Sequence, residues 1–197
     1  MRLGIYGGTF SPPHRGHTEA AKAFAEQMNL DKLLIIPTFL PPHKDFVEEV
    51  GEMSRLDMCR LAFSSIPVAE VSDIEIVRGG KSYTYMTLEH FADENTELFF
   101  LCGTDMILTF DEWRRYEYIF SLATICYARR ERDKEITEKI EEKTRQYQEL
   151  GAKIIAINHE TVEISSSLIR SDIKNGRDTP YLDTKVREYI EKRGLYR

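Results

Sequence analysis

Short apolar runs rich in β-branched and aromatic residues recur along the chain and alternate with stretches of helical period. This alternation is typical of βα units arranged around a mostly parallel sheet. The sequence therefore predicts an α/β fold: an open, mostly parallel sheet with helices on both faces. The predicted strands are Leu3–Tyr6, Lys32–Ile36, Val68–Val77, Glu97–Cys102, Ala123–Tyr127 and Lys153–Ile157, with Val162–Ile164 as a further candidate.

Helices are predicted between these strands. Thr18–Met28 places its apolar residues on one stripe, and Ser54–Asp57 resembles a capping box that opens a second helix. A third helix is expected over Thr84–Ala92. Asp133–Leu150 is densely charged with alternating signs, which is typical of a solvent-exposed helix.

The chain has 197 residues, which at roughly 150 residues per domain predicts a single domain over residues 1–197. A small helical part is expected at its C-terminal end, about residues 165–197. The Thr38–Met53 segment is long for a connection inside a compact domain, and such loops are usually functional or mobile. We therefore expect it to act as a lid.

Composition and charge exclude several classes of protein. With 42% apolar and 30% charged residues the chain is globular, and its apolar runs are far shorter than the roughly 18 residues of a membrane-spanning helix. No export signal is visible, so the cytoplasm is the expected location. Lys and Arg number 27 against 33 Asp and Glu, a net charge of −6 without a basic patch, which argues against a nucleic-acid partner. A small anionic ligand remains compatible with this charge.

Other familiar motifs are incomplete. Gly80-Lys81-Ser82 resembles the end of a phosphate-binding loop, but Glu75 stands where that pattern requires glycine. The cysteines, at positions 59, 102 and 126, are far apart and form no C-x-x-C pair, so we expect reduced core residues. No metal site is predicted, because the histidines of the first loop have no third ligand nearby in sequence.

The segment that carries chemistry is Gly7–His17, between the first strand and the first helix. At the carboxyl end of a strand, the next helix points unpaired N–H groups and its positive dipole end at a ligand, which favours an anion. Gly7 and Gly8 allow close approach of a ligand to the backbone. His14 and His17 are three residues apart, so in a helical turn both imidazoles lie on one face and can address one group.

These residues resemble the nucleotidylyltransferase superfamily. His14–His17 matches its H-x-G-H signature, and Ile164–Arg170 resembles its second hallmark, I-S-S-x-x-[IL]-[RK]. Nearly the whole chain is similar to the bacterial nicotinate-nucleotide adenylyltransferases, through matches at Pro41–Lys44, Ser82–Thr84, Gly103–Met106, Trp113 and Gly194–Arg197. The resemblance implies a Rossmann-like fold. It also implies transfer of AMP from ATP to nicotinate mononucleotide in NAD biosynthesis, giving deamido-NAD and pyrophosphate without a covalent enzyme intermediate.

The resemblance also implies roles for individual residues. His14, His17 and Arg170 would be catalytic and would also bind ATP. Magnesium would enter with ATP, the partners would be these two small molecules, and a homo-oligomer is left open. The expected ATP-binding residues are Gly7, Gly8, Thr9, Phe10, His14, His17, Gly103, Asp105, Ser165, Ser166 and Arg170, and those expected for the mononucleotide are His43, Lys44, Tyr83, Thr84, Met106 and Trp113.

Alternatives stay open at this point. The acceptor is alternatively nicotinamide mononucleotide or phosphopantetheine, or the chain is a nucleotide-binding module without catalysis. The alternative role of Asp105, and also of Thr84, is to cap a helix. The alternative for Trp113 is a core residue. Ser11 departs from the resembled family, which commonly has aspartate at this position in a G-T-F-D-P run.

Overall fold

The structure is a computed structural model that describes residues 1–42, 50–128, 134–159, 162 and 164–197. Within these ranges the strands form one parallel, six-stranded sheet in the order β3-β2-β1-β4-β5-β6. The order reverses direction between β1 and β4, the point at which open α/β sheets bind ligands. The strands are β1 (Arg2–Gly8), β2 (Lys32–Pro37), β3 (Ala69–Val71), β4 (Glu97–Gly103), β5 (Ala123–Ala128) and β6 (Ile154–Ile157).

Helices cover both faces of the sheet, as the sequence predicts, and the fold class is confirmed. The helices are α1 (Arg15–Gln27), α2 (Glu52–Ala62), α3 (Ile74–Arg78), α4 (Thr84–Phe91), α5 (Thr104–Leu108), α6 (Tyr116–Leu122), α7 (Lys134–Glu149), α8 (Ser166–Lys174) and α9 (Thr184–Arg193). One apolar core packs α1, α2, α8 and α9 on the first face, and a second packs α4 to α7 on the other. A 3-10 turn lies at Phe110–Glu112.

Alternate residues of the central strands enter opposite cores. In β2, Leu33 and Ile35 belong to the first core, while Leu34 and Ile36 belong to the second. Because both faces are buried, the strands are continuously apolar instead of alternating with polar residues. The C-terminal helices α8 and α9 share the first core with α1 and α2.

The strand predicted over Val68–Val77 is wrong in its second half. β3 ends at Val71, and α3 begins at Ile74. The β-branched residues favour a strand, but the helix buries Glu75 and leaves Val77 exposed. Tertiary contacts of the Glu75 carboxylate therefore override the local propensity.

Three other boundaries differ from the prediction. The expected capping box at Ser54–Asp57 lies inside α2, whose N-cap is Gly51. α1 begins at Arg15 instead of Thr18, so the histidine segment is already part of its first turn. Of the candidate strand Val162–Ile164, the two residues that the structure describes lie outside any strand.

Among the described residues, every helix is too short or too polar to cross a bilayer.

Gly4 in β1 tests the close packing between the sheet and α1. A methyl group at this position would lie 2.3 Å from Leu30 Cδ1 and 2.9 Å from Phe24 Cε1. Overpacking of a core costs about 1–3 kcal/mol, so we expect Gly4→Ala to lower the free energy of unfolding by that amount in urea denaturation. Leu30→Val removes the closest atom, and in that background Gly4→Ala should cost less. Equal costs in both backgrounds would contradict this packing.

Candidate active site

A cavity of about 700 Å³ opens at the carboxyl ends of β1 and β4. Its walls come from the loop after β1, the turn after β4, the start of α4 and the first turns of α8. The residues that line it include Gly7, Gly8, Thr9, Phe10, Ser11, His17, Tyr83, Thr84, Gly103, Asp105, Met106, Trp113, Ser166, Ser167 and Arg170. Segments that are more than 150 residues apart in sequence therefore meet in one cavity.

Side chains from two helices hold the carbonyl groups of the loop after β1. Arg170 Nη1 in α8 donates to the Ser11 carbonyl oxygen at 2.7 Å, and Ser166 Oγ donates to the Pro12 carbonyl oxygen at 2.9 Å. Arg55 Nη1 in α2 donates to the Thr9 carbonyl oxygen at 2.9 Å. These three hydrogen bonds fix the loop.

Phe10 gives this loop its shape. Its φ of 50° lies in the left-handed region, which costs a non-glycine residue about 1–2 kcal/mol. The ring is buried and makes edge contacts with Tyr6, His17 and Phe63 at centroid distances of 5.3, 5.1 and 5.7 Å. Such aromatic pairs contribute about 0.5–1.5 kcal/mol each, so together they offset the backbone cost.

The two histidines form a stacked pair at the start of α1. Their ring centroids are 3.8 Å apart at an interplanar angle of 28°, and the His14 backbone N–H donates to His17 Nδ1 at 3.2 Å. A ring nitrogen that accepts from an N–H carries no proton, so the neutral His17 ring carries its proton on Nε2. His17 lines the cavity, whereas His14 lies behind it with 3% of its surface exposed.

α8 contributes the opposite wall. Ser165 is its N-cap, because its side-chain oxygen accepts from the Leu168 N–H at 3.1 Å. Ser166, Ser167 and Arg170 line the cavity, and Arg170 Nη2 donates to Ser167 Oγ at 3.1 Å. Ser165, one of the residues expected to bind ATP, therefore has its side-chain oxygen engaged as the helix cap.

Asp105 projects over the end of β4. Gly103 is the N-cap of α5 and Asp105 lies in its first turn, so the alternative that Asp105 caps this helix is wrong. The carboxylate lies so close to Gly103 that a Cβ there would be 2.6 Å from Asp105 Oδ1. A side chain at position 103 would therefore have to displace this carboxylate.

Cys102 also lines the cavity, but it is not a nucleophile. Burial raises the pKa of its thiol well above the ordinary value, and the nearby Cys126 and Asp105 raise it further. The thiol, and not the reactive thiolate, is therefore present at neutral pH.

Aromatic residues line the part of the cavity near α4. Trp113 stacks on Phe110 at a centroid distance of 4.6 Å and an angle of 12°, and it is half-buried. Tyr83 is the N-cap of α4 and Thr84 its first residue, so Thr84 does not cap the helix. Arg114 was not predicted as a site residue, and its Cζ lies 5.0 Å from the centroid of the Tyr83 ring.

The sequence also did not predict a cluster of hydrogen-bonded polar side chains beneath this region. Thr87 Oγ1 donates to Glu75 Oε1 at 2.6 Å and accepts from Arg78 Nη2 at 3.1 Å. Glu75 and Thr87 both line the cavity. No sequence pattern indicated these two residues, because Glu75 lies in the segment predicted as a strand.

Most of the predicted site residues that the structure describes line the one cavity; the exceptions are His14 and Ser165. His43 and Lys44 lie outside the described residues. The expected lid, Thr38–Met53, is described at its two ends, where Pro41 and Pro42 line the cavity. Within the described ranges, no group of three His, Cys, Asp or Glu side chains is arranged to hold a metal ion.

Comparisons with known proteins identify the family of the chain. A family model described as cytidylyltransferase-like matches residues 5–172. A probable nicotinate-nucleotide adenylyltransferase of Desulfatibacillum aliphaticivorans is 35% identical, with 100% of both chains covered. A protein of the same description from Citrifermentans bemidjiense is 36% identical, with 100% of this chain and 98% of the relative covered.

Solved structures share the fold. The Plasmodium falciparum nicotinic acid mononucleotide adenylyltransferase complexed with NaAD superposes with a TM-score of 0.75 at 18% identity, covering 99% of this chain and 97% of the other. A putative nicotinate-nucleotide adenylyltransferase from Vibrio parahaemolyticus gives 0.68 at 20% identity, covering 100% and 95%.

Ser11 has a buried partner at the C-terminal end of the chain. Its Oγ lies 3.0 Å from Tyr196 Oη, with Ser11 2% and Tyr196 5% exposed. We expect Tyr196→Phe to lower the free energy of unfolding by about 1 kcal/mol, the net value of a neutral hydrogen bond. The thermal unfolding of Ser11→Ala, Tyr196→Phe and the double variant measures this coupling. Strictly additive losses would show that the two hydroxyls do not stabilise each other.

Proposed function

The chain belongs to the cytidylyltransferase-like family, and from this premise we propose that it transfers AMP from ATP to nicotinate mononucleotide. The products are deamido-NAD and pyrophosphate, and the reaction is a step of NAD biosynthesis. Relatives of this function match the chain over its full length, so the proposal does not depend on a shared fragment.

The main support for this proposal is that the two hallmark segments meet at one cavity. Arg170 in α8 reaches the loop after β1, 159 residues earlier in the chain, and lines the same cavity as His17. A guanidinium and an imidazole N–H on opposite walls suit a polyphosphate between them.

The chemistry is a single displacement at phosphorus. A phosphate oxygen of the mononucleotide forms a bond to the α-phosphorus of ATP, and the bond from that phosphorus to the bridging oxygen of the β-phosphate breaks. The electron pair of that bond leaves with pyrophosphate. The attacking phosphate is already ionised at neutral pH, so the protein has to align the reactants and stabilise the charge of the leaving group.

Two side chains supply donors for that charge. The proton on Nε2 of His17 makes it a neutral donor toward the cavity. Arg170 supplies a permanent charge and a planar set of donors, two of which already hold the loop and Ser167. His14 stacks behind His17 and orients it, so we assign His14 a supporting place in the catalytic pair.

Magnesium binds as part of the substrate. ATP binds as its magnesium complex, and Mg²⁺ keeps several water ligands while phosphate oxygens supply others. In the described part of the cavity Asp105 is a carboxylate near the end of β4, and we assign it to a ribose hydroxyl of ATP.

Trp113 supports binding of the nicotinate ring. One face of its indole is covered by Phe110, and the residue also lines the cavity near Tyr83 and Thr84. An electron-rich indole held in this way favours stacking with an electron-poor pyridinium ring. Thr84 lines the cavity at the start of α4, and we assign it to the ring carboxylate.

Pyrophosphate release tests the proposed reaction. With ATP and magnesium, nicotinate mononucleotide should give a higher kcat/KM than nicotinamide mononucleotide or phosphopantetheine. A preference for either of the other acceptors would move the chain to a related transferase. Binding of ATP without pyrophosphate release from any acceptor would indicate a nucleotide-binding module.

His17→Ala tests the donor on the wall of the cavity. Loss of one preorganised transition-state donor typically lowers kcat by about 10²-fold or more, and we expect a decrease of this order. His90→Ala is the matched control, because His90 is exposed near the end of α4 and does not line the cavity. Near-normal turnover of a folded His17→Ala variant would remove His17 from the mechanism.

A further inference from the structure

Arg55 is a charged side chain in the interior of the protein. It lies in α2 and is 2% exposed, among the largest fully buried side chains of the described residues. Its neighbours in the helix, Leu56, Met58 and Cys59, are buried apolar or thiol groups. Because a guanidinium stays protonated in proteins and its removal from water is costly, such burial calls for a specific partner.

One partner of Arg55 is the loop that lines the cavity. Arg55 Nη1 donates to the Thr9 carbonyl oxygen at 2.9 Å. Thr9 and Phe10 line the cavity, whereas Arg55 does not. The guanidinium therefore reaches the loop from behind, on the side of the first apolar core.

This contact fixes the direction of one peptide group. The Thr9–Phe10 peptide is trans, since the one cis bond in the described chain is Ser11-Pro12. The C=O and N–H of a trans peptide point in opposite directions. With the Thr9 carbonyl directed back toward Arg55, the Phe10 N–H is directed toward the cavity. No hydrogen bond among the described residues uses that N–H.

Because Phe10 is in the left-handed conformation, this peptide group tends to rotate unless a contact holds it. A φ of 50° is uncommon for a non-glycine residue, and rotation of the preceding peptide would relieve it. The charged hydrogen bond from Arg55 opposes that rotation, because a bond to a charged donor is stronger than one between neutral groups.

We propose that Arg55 is a positioning residue for the nucleotide: it turns the Phe10 N–H toward the phosphates of ATP and places a fixed positive charge behind the loop that binds them. This inference rests on the proposed function, and it assigns to α2 a part in the site that its sequence does not reveal.

Arg55→Met tests the inference, because it keeps most of the side-chain volume and removes the donor and the charge. We expect a folded variant whose kcat/KM for ATP falls at least tenfold, while its KM for nicotinate mononucleotide stays within twofold. Arg55→Lys keeps the charge and one donor, so it should recover part of the loss. Arg60→Met is the control, since Arg60 lies on the same helix, is exposed and pairs with Asp57.

Direct binding separates this inference from the proposed reaction. Calorimetry with α,β-methylene-ATP should show at least tenfold weaker binding by Arg55→Met than by the unmodified chain, whichever acceptor the enzyme uses. If the unmodified chain binds this analogue but releases no pyrophosphate, the proposed reaction fails and the binding ratio still decides the role of Arg55.

Two results would overturn the inference. One is a folded Arg55→Met variant with unchanged affinity for the analogue. The other is an equal loss toward ATP and mononucleotide that Arg55→Lys does not recover, which indicates a purely structural role. If Arg55→Met does not fold, Arg55→Lys carries the test: it should bind the analogue more weakly with unchanged thermal stability, and unchanged affinity would overturn the inference.

Discussion

The site depends on the hydrogen bonds that hold the carbonyl oxygens of the loop after β1. Arg55 approaches from α2, and Arg170 and Ser166 approach from α8. Hydrogen bonds from charged donors contribute about 1.5–3 kcal/mol each, enough to keep a short loop in one conformation. Because the carbonyls are engaged on the protein side, the loop is available to a ligand through its N–H groups.

The same contacts join distant parts of the chain. α8 is bonded to the loop that precedes α1, and Tyr196 reaches Ser11 from the C-terminal end. Arg170 therefore contributes to the site in two ways, because it fixes the loop and also lines the cavity. The parallel sheet supplies the frame, because its order reverses between β1 and β4 and leaves a crevice at that point.

Much of this arrangement follows from the sequence. The apolar runs predict the central strands, and the spacing of His14 and His17 predicts a shared helical turn. The placement of Arg170 on the same cavity follows from the family resemblance. These features are local, or they are carried by motifs whose context is well defined.

The rest is set by contacts between distant residues. Arg55 looks like any charged residue of an amphipathic helix, and only the packing of α2 behind the loop shows that it is buried. The strand predicted through Ile74–Val77 fails because Glu75 finds a partner in Thr87 of another helix.

The loop after β1 and α8 are proposed to bind one triphosphate between them. A crystal structure of the chain with α,β-methylene-ATP and magnesium would show whether they do. We expect phosphate oxygens within hydrogen-bond distance of both His17 Nε2 and the Arg170 guanidinium. A triphosphate bound elsewhere, or one that touches α8 without the loop, would contradict it.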